Sequence, residues 1–188
     1  MSDFKKELLS TGLYILGILL VTYLIITFVG QRTVVHGASM EPTLIGTDDN
    51  DPDKTGDNLI VDKLTYRFRD PARFDIIVFP YRYGDKDYYI KRIIGLPGER
   101  VRIDTEGNIY INGEILREGY GKEVIQNPGV AIEEIQLGID EYFVMGDNRN
   151  NSADSRDPRV GNIKRSDIIG RAFLRIWPLD RFGVLKHR

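Results

Sequence analysis

"YYIKRIIGLPGERVRIDTEGNIYINGEIL", residues 88–116, holds the pattern that decides the fold. Its runs "YYIKRIIG" (88–95), "ERVRID" (99–104), "NIYIN" (108–112) and "EIL" (114–116) are dense in β-branched and aromatic residues and end at Gly, Pro or Asp. Asn112-Gly113 between two apolar strands predicts a type I′ hairpin, because both central positions of that turn need positive φ. Working outward, "NLIVDK" (58–63), "DIIVFP" (75–80), "EYFVMG" (141–146) and "RAFLRIW" (171–177) repeat the character. No long segment after residue 43 carries a helical period, so the chain reads as largely antiparallel β. Two polar loops interrupt it, "GTDDNDPDKTGD" (46–57) and "GDNRNNSADSRDPRVGN" (146–162), and there is no internal repeat.

The N-terminus follows a different rule. From Leu8 to Gln31 no residue is charged. A helix over Leu8–Val29 would run roughly 33 Å, matching a hydrocarbon core of about 30 Å. The run exceeds the apolar region of a cleaved signal peptide, and His36, not a small residue, stands two positions before Ala38. The segment is read as a retained anchor. Lys5 and Lys6 before it against Arg32 after it favour an inside N-terminus. The expected organisation is a cytoplasmic N-terminus (1–7), a transmembrane anchor (8–30) and an extracytoplasmic domain (31–188).

Composition removes several chemistries. The chain has no cysteine, which excludes disulfides, iron–sulfur clusters and cysteine zinc sites. A net charge of −2 gives no global basic field for nucleic acid. Asp49, Asp51 and Asp53 alternate as in a calcium loop, but Lys54 and Ile60 stand where that loop needs Gly and Glu. No metal and no cofactor is expected. The two histidines, His36 beside the anchor and His187 near the C-terminus, suit neither a Ser-His-Asp triad nor a zinc centre.

A serine hydrolase without histidine needs another base, and lysine serves if it is neutral. An ordinary lysine, pKa about 10.4, is almost wholly protonated near neutrality, and lowering it by about 2 units costs about 2.7 kcal/mol of desolvation. Such a lysine belongs in an apolar strand. Lys91 meets that condition, sharing a strand face with Tyr89 and Ile93, while Arg92 lies on the face of Ile90 and Ile94. An edge lysine that discourages aggregation fits the same window. Lys63, nearer a loop, is the rival base. Ser39 in "VVHGASMEPT" (34–43) is the candidate nucleophile, a turn-capping serine being its plain alternative. In "NNSADSR", Ser152 or Ser155 could aim the amine. Asp154 paired with Arg156 would brace the loop and keep that carboxylate from raising the lysine pKa.

Four blocks, "GASMEPT" (37–43), "GDNLIVDK" (56–63), "YIKRIIGLPGE" (89–99) and "GDNRNNSADSR" (146–156), together resemble the bacterial type I signal peptidases, or leader peptidases. The similarity spans roughly residues 33–178. The resemblance implies a mainly β fold: an antiparallel β catalytic core with an inserted β-subdomain, here about residues 100–140, behind one transmembrane helix. It implies a membrane-bound serine endopeptidase that removes signal peptides from exported preproteins after small-x-small sites. By motif match Ser39 is the nucleophile, Lys91 the general base and Ser152 the serine orienting the amine, with Asp154, Arg156 and Arg92 as charged supports. The oxyanion hole would use the Ser39 N–H. A second donor that some members supply as a hydroxyl is unassigned, because Gly37 stands there. Implied partners are preprotein signal peptides, the lipid bilayer and the export machinery, with no nucleic acid. Val34, Val35, Met40 and Trp177 are read equally as lipid-facing or as core. The competing readings are a membrane-tethered, non-catalytic β-domain that binds secreted partners and a self-cleaving repressor.

Overall fold

The computed structural model describes residues 3–24, 30–48, 50–51, 53–81 and 88–185. His187, Asp49 and anchor positions 25–29 lie outside these. The first element is α1, Asp3–Leu24. Its segment Lys6–Leu24, 19 residues, is long and apolar enough to cross a membrane, and none of it packs against the rest of the protein. Gly30, the last residue of the expected anchor, instead opens a strand.

Among the described residues twelve strands follow: β1 (Gly30–Val34), β2 (Asn58–Asp62), β3 (Ile76–Pro80), β4 (Tyr88–Gly95), β5 (Arg100–Ile103), β6 (Ile109–Ile111), β7 (Glu114–Ile115), β8 (Ile135–Gln136), β9 (Glu141–Met145), β10 (Ile163–Lys164), β11 (Gly170–Trp177) and β12 (Gly183–Val184). They form an eight-stranded sheet, ordered β1-β2-β11-β3-β4-β9-β10 with β12 on β11, and a four-stranded sheet, β7-β6-β5-β8. The fold is mainly antiparallel β with one N-terminal apolar helix. The second sheet is inserted between β4 and β9.

The eight strand runs read from sequence all appear. At the hairpin between β6 and β7, Asn112 has φ 53° and Gly113 φ 86°, as a type I′ turn requires. The sequence reading missed β1 and the two-residue strands β8, β10 and β12. In β1, "GQRTV", the central residues are polar, so no alternation announces it. Pairing with β2, from Gly30↔Asp62 to Val34↔Asn58, makes it a strand.

β3 and β4 are buried on both faces, which is why they read as near-continuous apolar runs. Along β4, Ile90 joins a cluster with Val35, Met40 and Leu44; Ile93 joins Phe79 and Val144; Ile94 joins the cluster shared by both sheets. At Gly95 the register with β9 shifts, and a Cβ there would fall 2.6 Å from Val101 Cγ2 and 2.8 Å from Leu137 Cδ1. Glycine at this position lets the second sheet pack directly on β4. Of the residues left between lipid and core, Val35 and Met40 are core, Val34 is partly buried, and Trp177 is largely exposed.

Candidate active site

Ser39 sits on the excursion between β1 and β2, and its two ends are tied together at Asp57. The Asp57 carbonyl accepts from Val35 N–H (2.9 Å), its own N–H donates to Ile45 O (2.8 Å), and its carboxylate accepts from Ile45 N–H (3.0 Å). Met40 and Leu44 sink into the core and pin the inner side of the turn. From across the fold, Asn148 N–H donates to Ser39 O (3.1 Å) and Asn148 Nδ2 to Ala38 O (3.1 Å). The Ser39 N–H makes no hydrogen bond among the described residues, whereas Gly37 N–H donates to Thr47 O at 2.9 Å.

Lys91 reaches Ser39 from β4. Its Nζ lies 2.9 Å from Ser39 Oγ and 3.0 Å from Ile90 O, and the Tyr89 ring centroid is 4.8 Å away. Only 4% of the residue is exposed. Burial pushes the Lys91 amine down from 10.5 to about 8, against an upward pull from the Asp154 and Asp147 carboxylates. Lys63 lies just beyond β2 and does not line this site.

A groove of about 700 Å³ runs past the pair. One wall is Arg32 to His36, the other Tyr88 to Lys91, with Ser39, Met40 and Ala153 at its base. Both walls are extended strands. β1 is the outermost strand, and β4 pairs with β9 only from Arg92 onward.

Behind the pair stands the loop after β9. Asp154, wholly buried, accepts from Gly146 N–H (3.0 Å), Ser152 Oγ–H (2.7 Å), Arg156 Nε (2.8 Å) and Arg156 Nη2 (2.8 Å). Ser152 therefore donates to Asp154, and among the described residues it makes no hydrogen bond to Lys91. Ser155 is elsewhere, its Oγ accepting from Val144 N–H (2.9 Å). Gly146 has to be glycine, because a Cβ there would lie 2.4 Å from Ser39 O and 2.3 Å from Ser152 Oγ. On the opposite face of β4, Arg92 is fully buried and gives Asp147 two hydrogen bonds, 2.8 and 2.6 Å. It also donates to Phe74 O (3.0 Å) and to Thr43 Oγ1 (3.4 Å).

A comparison with protein families matches residues 8–177 to the signal peptidase family, peptidase S26. The chain belongs to this family. It is 42% identical over 164 residues to a probable signal peptidase I-2 of a Synechocystis strain, covering 85% of this chain and 68% of that one. To a signal peptidase I of Leptolyngbya laminosa it is 40% identical, covering 94% and 84%. To signal peptidase I P of Bacillus subtilis subsp. natto it is 35% identical, covering 97% and 96%. Among solved structures, a signal peptidase I from Enterococcus faecalis V583 aligns with TM-score 0.43 at 33% identity, over 55% of this chain and 97% of that chain. Signal peptide removal is the activity of the family, a serine peptidase family, and preproteins bearing signal peptides are its substrates.

Within this signal peptidase chain, the expected residues fall into two groups. Ser39 and Lys91 are in contact; Ser152, Asp154 and Arg156 form a separate network behind them; Arg92 faces away. One expectation needs correction. Arg156 does pair with Asp154, yet the Asp154 carboxylate remains the larger of the two charges raising Lys91. A paired carboxylate still acts through a dry interior. Asp57, Asp147 and Asn148 were not singled out from sequence, although each falls inside a quoted block. A wholly buried aspartate looks like any loop aspartate until its arginine is placed. No cluster of metal-ligating side chains occurs among the described residues.

Proposed function

We propose that the enzyme is a membrane-anchored serine endopeptidase that cuts signal peptides after small-x-small sites with Ser39 as nucleophile and Lys91 as general base. The observation that carries this is the 2.9 Å contact between Ser39 Oγ and a buried Lys91 Nζ. With a pKa near 8, a useful fraction of the amine is neutral at working pH, and its lone pair takes the hydroxyl proton as Oγ attacks the scissile carbonyl. The C–N bond then breaks, the ammonium returns its proton to the departing amine, and the signal peptide is held as an ester on Ser39. Lys91 next takes a proton from water, which hydrolyses the ester.

The Ser39 N–H supports an oxyanion hole, being free of other bonds among the described residues. Gly37 N–H is engaged by Thr47, so it does not furnish the second donor without breaking that bond. Ser152 and Asp154 act as supports: the hydroxyl and carboxylate hold each other and Gly146 against the rear of the dyad. Arg156 and Arg92 neutralise their carboxylates. The groove between the strand walls β1 and β4 suits an extended substrate segment. Helix α1 is the anchor, N-terminus cytoplasmic, with the β-domain outside. It holds the enzyme in the bilayer where a signal peptide's apolar segment also lies, which raises effective concentration. Delivery by the export machinery follows from that location.

The test is cleavage of a preprotein with an Ala-x-Ala site by the detergent-solubilised full chain, with product masses measured. Wild type yields one mature terminus. Ser39→Ala and Lys91→Ala yield none, and cutting by either variant overturns the assignment.

A further inference from the structure

The inserted sheet returns toward the core through residues 117–128, and this segment has no role in the mechanism above. It closes over Arg92, whose side chain is fully buried. The Tyr120 ring lies with its centroid 3.7 Å from Arg92 Cζ, the shortest cation–ring distance among the described residues. The Phe74 ring packs against it in a tilted contact, centroids 5.1 Å apart. The placement is held on each side. Lys122 N–H donates to Asp147 O (2.8 Å), and Glu118 reaches the buried Arg149 (2.6 Å).

Arg92 is a junction. It follows Lys91 in β4, bonds Thr43 on the Ser39 excursion, and is bidentate to Asp147. The next residue, Asn148, holds the carbonyls of Ala38 and Ser39. Arg92 is thereby linked to Lys91 through the backbone of β4 and to the Ser39 excursion through Asp147, Asn148 and the longer Thr43 contact. We propose that Tyr120 is a positioning residue for the Ser39–Lys91 pair: its ring covers Arg92, excludes water from the Arg92–Asp147 bond and keeps the Asn148 clamp on Ser39 in place. The ring, not the hydroxyl, supplies the contact. The hydroxyl is buried and makes no hydrogen bond among the described residues.

This rests on the Ser39–Lys91 reading, and the experiment separates the two. Tyr120→Phe and Tyr120→Leu are compared with wild type on an Ala-x-Ala preprotein, with kcat and KM measured well below each melting temperature. Phenylalanine keeps the π face; leucine keeps apolar cover without it. Tyr120→Leu is expected to lower kcat by roughly three- to thirtyfold, the range a desolvated cation–π contact spans, with KM unchanged because the groove lies elsewhere. Tyr120→Phe is expected to keep wild-type kcat. Leucine with wild-type kcat, even at a lower melting temperature, overturns the proposal and leaves Tyr120 a packing residue. A raised KM with unchanged kcat, or a phenylalanine variant as slow as leucine, overturns it too. Wild type that fails to cut, or Ser39→Ala that still cuts, instead sinks the dyad itself.

Discussion

Lys91 and Arg92 are neighbours on one strand, both cationic by type and both buried, yet their surroundings are opposite. Arg92 has a carboxylate in bidentate contact at 2.8 and 2.6 Å, a carbonyl and an aromatic cover. Lys91 has a hydroxyl, a backbone carbonyl and a ring face, with Asp154 and Asp147 acting only at longer range. Burial with a partner preserves charge; burial without one makes the charge easier to lose. A β-strand is suited to this contrast, because adjacent side chains face opposite ways and can meet unrelated environments. The choice of residues follows. Arginine stays protonated and matches a carboxylate in two bonds, whereas lysine gives up its proton when desolvated.

The contrast can be broken at each residue. Lys91→Met should cost the most activity, about 10³-fold or more in cleavage, because no general base remains. The same change should stabilise the fold at pH 7. The folded-state pKa of about 8 lies below the ordinary 10.5, so between those values the unfolded chain holds a proton that the folded chain lacks. Stability therefore rises as pH increases from about 8 to 10.5, and below 8 the fold carries a penalty of about 3 kcal/mol. Melting temperatures of Lys91→Met and wild type, compared at pH 7 and pH 10, check this: the gap should narrow at the higher pH.

Arg92→Met should do the reverse. It leaves Asp147 buried and uncompensated and should cost about 3–5 kcal/mol, read by urea unfolding. Equal or greater stability would show that the pair contributes nothing the core could not replace.

The smallest effect concerns the long-range charges. Asp154→Asn removes a carboxylate that raises Lys91, so the acid limb of kcat/KM should move to lower pH, by less than about one unit. Because Arg156 loses its partner, the fold should weaken more visibly than the limb moves. An upward move would contradict the assigned charge effect.

Local pattern made the strands of both sheets and the Asn112-Gly113 hairpin legible, because alternation and turn chemistry are written within a few residues. The same logic failed at β1, where Gln31, Arg32 and Thr33 acquire strand structure only from β2. At the site, Lys91 was legible as a desolvated lysine because its neighbours in β4 are apolar. Ser152 was expected on the lysine and lies on Asp154 instead, since one hydroxyl in a polar loop has several reachable acceptors. Arg92's partner was hidden for a related reason. Asp147 is 55 residues away, and only the β4–β9 pairing brings it to the guanidinium.

By itself the sequence determined the apolar N-terminal helix, the antiparallel β character and which serine and lysine were candidates, because hydrophobic period, turn residues and side-chain type are local properties. Tertiary structure alone decided which charges are paired, how Ser39 and Lys91, 52 positions apart, close to 2.9 Å, and which carboxylates are dry. Desolvation and ion pairing depend on what folds over a group, and no short window of sequence contains that.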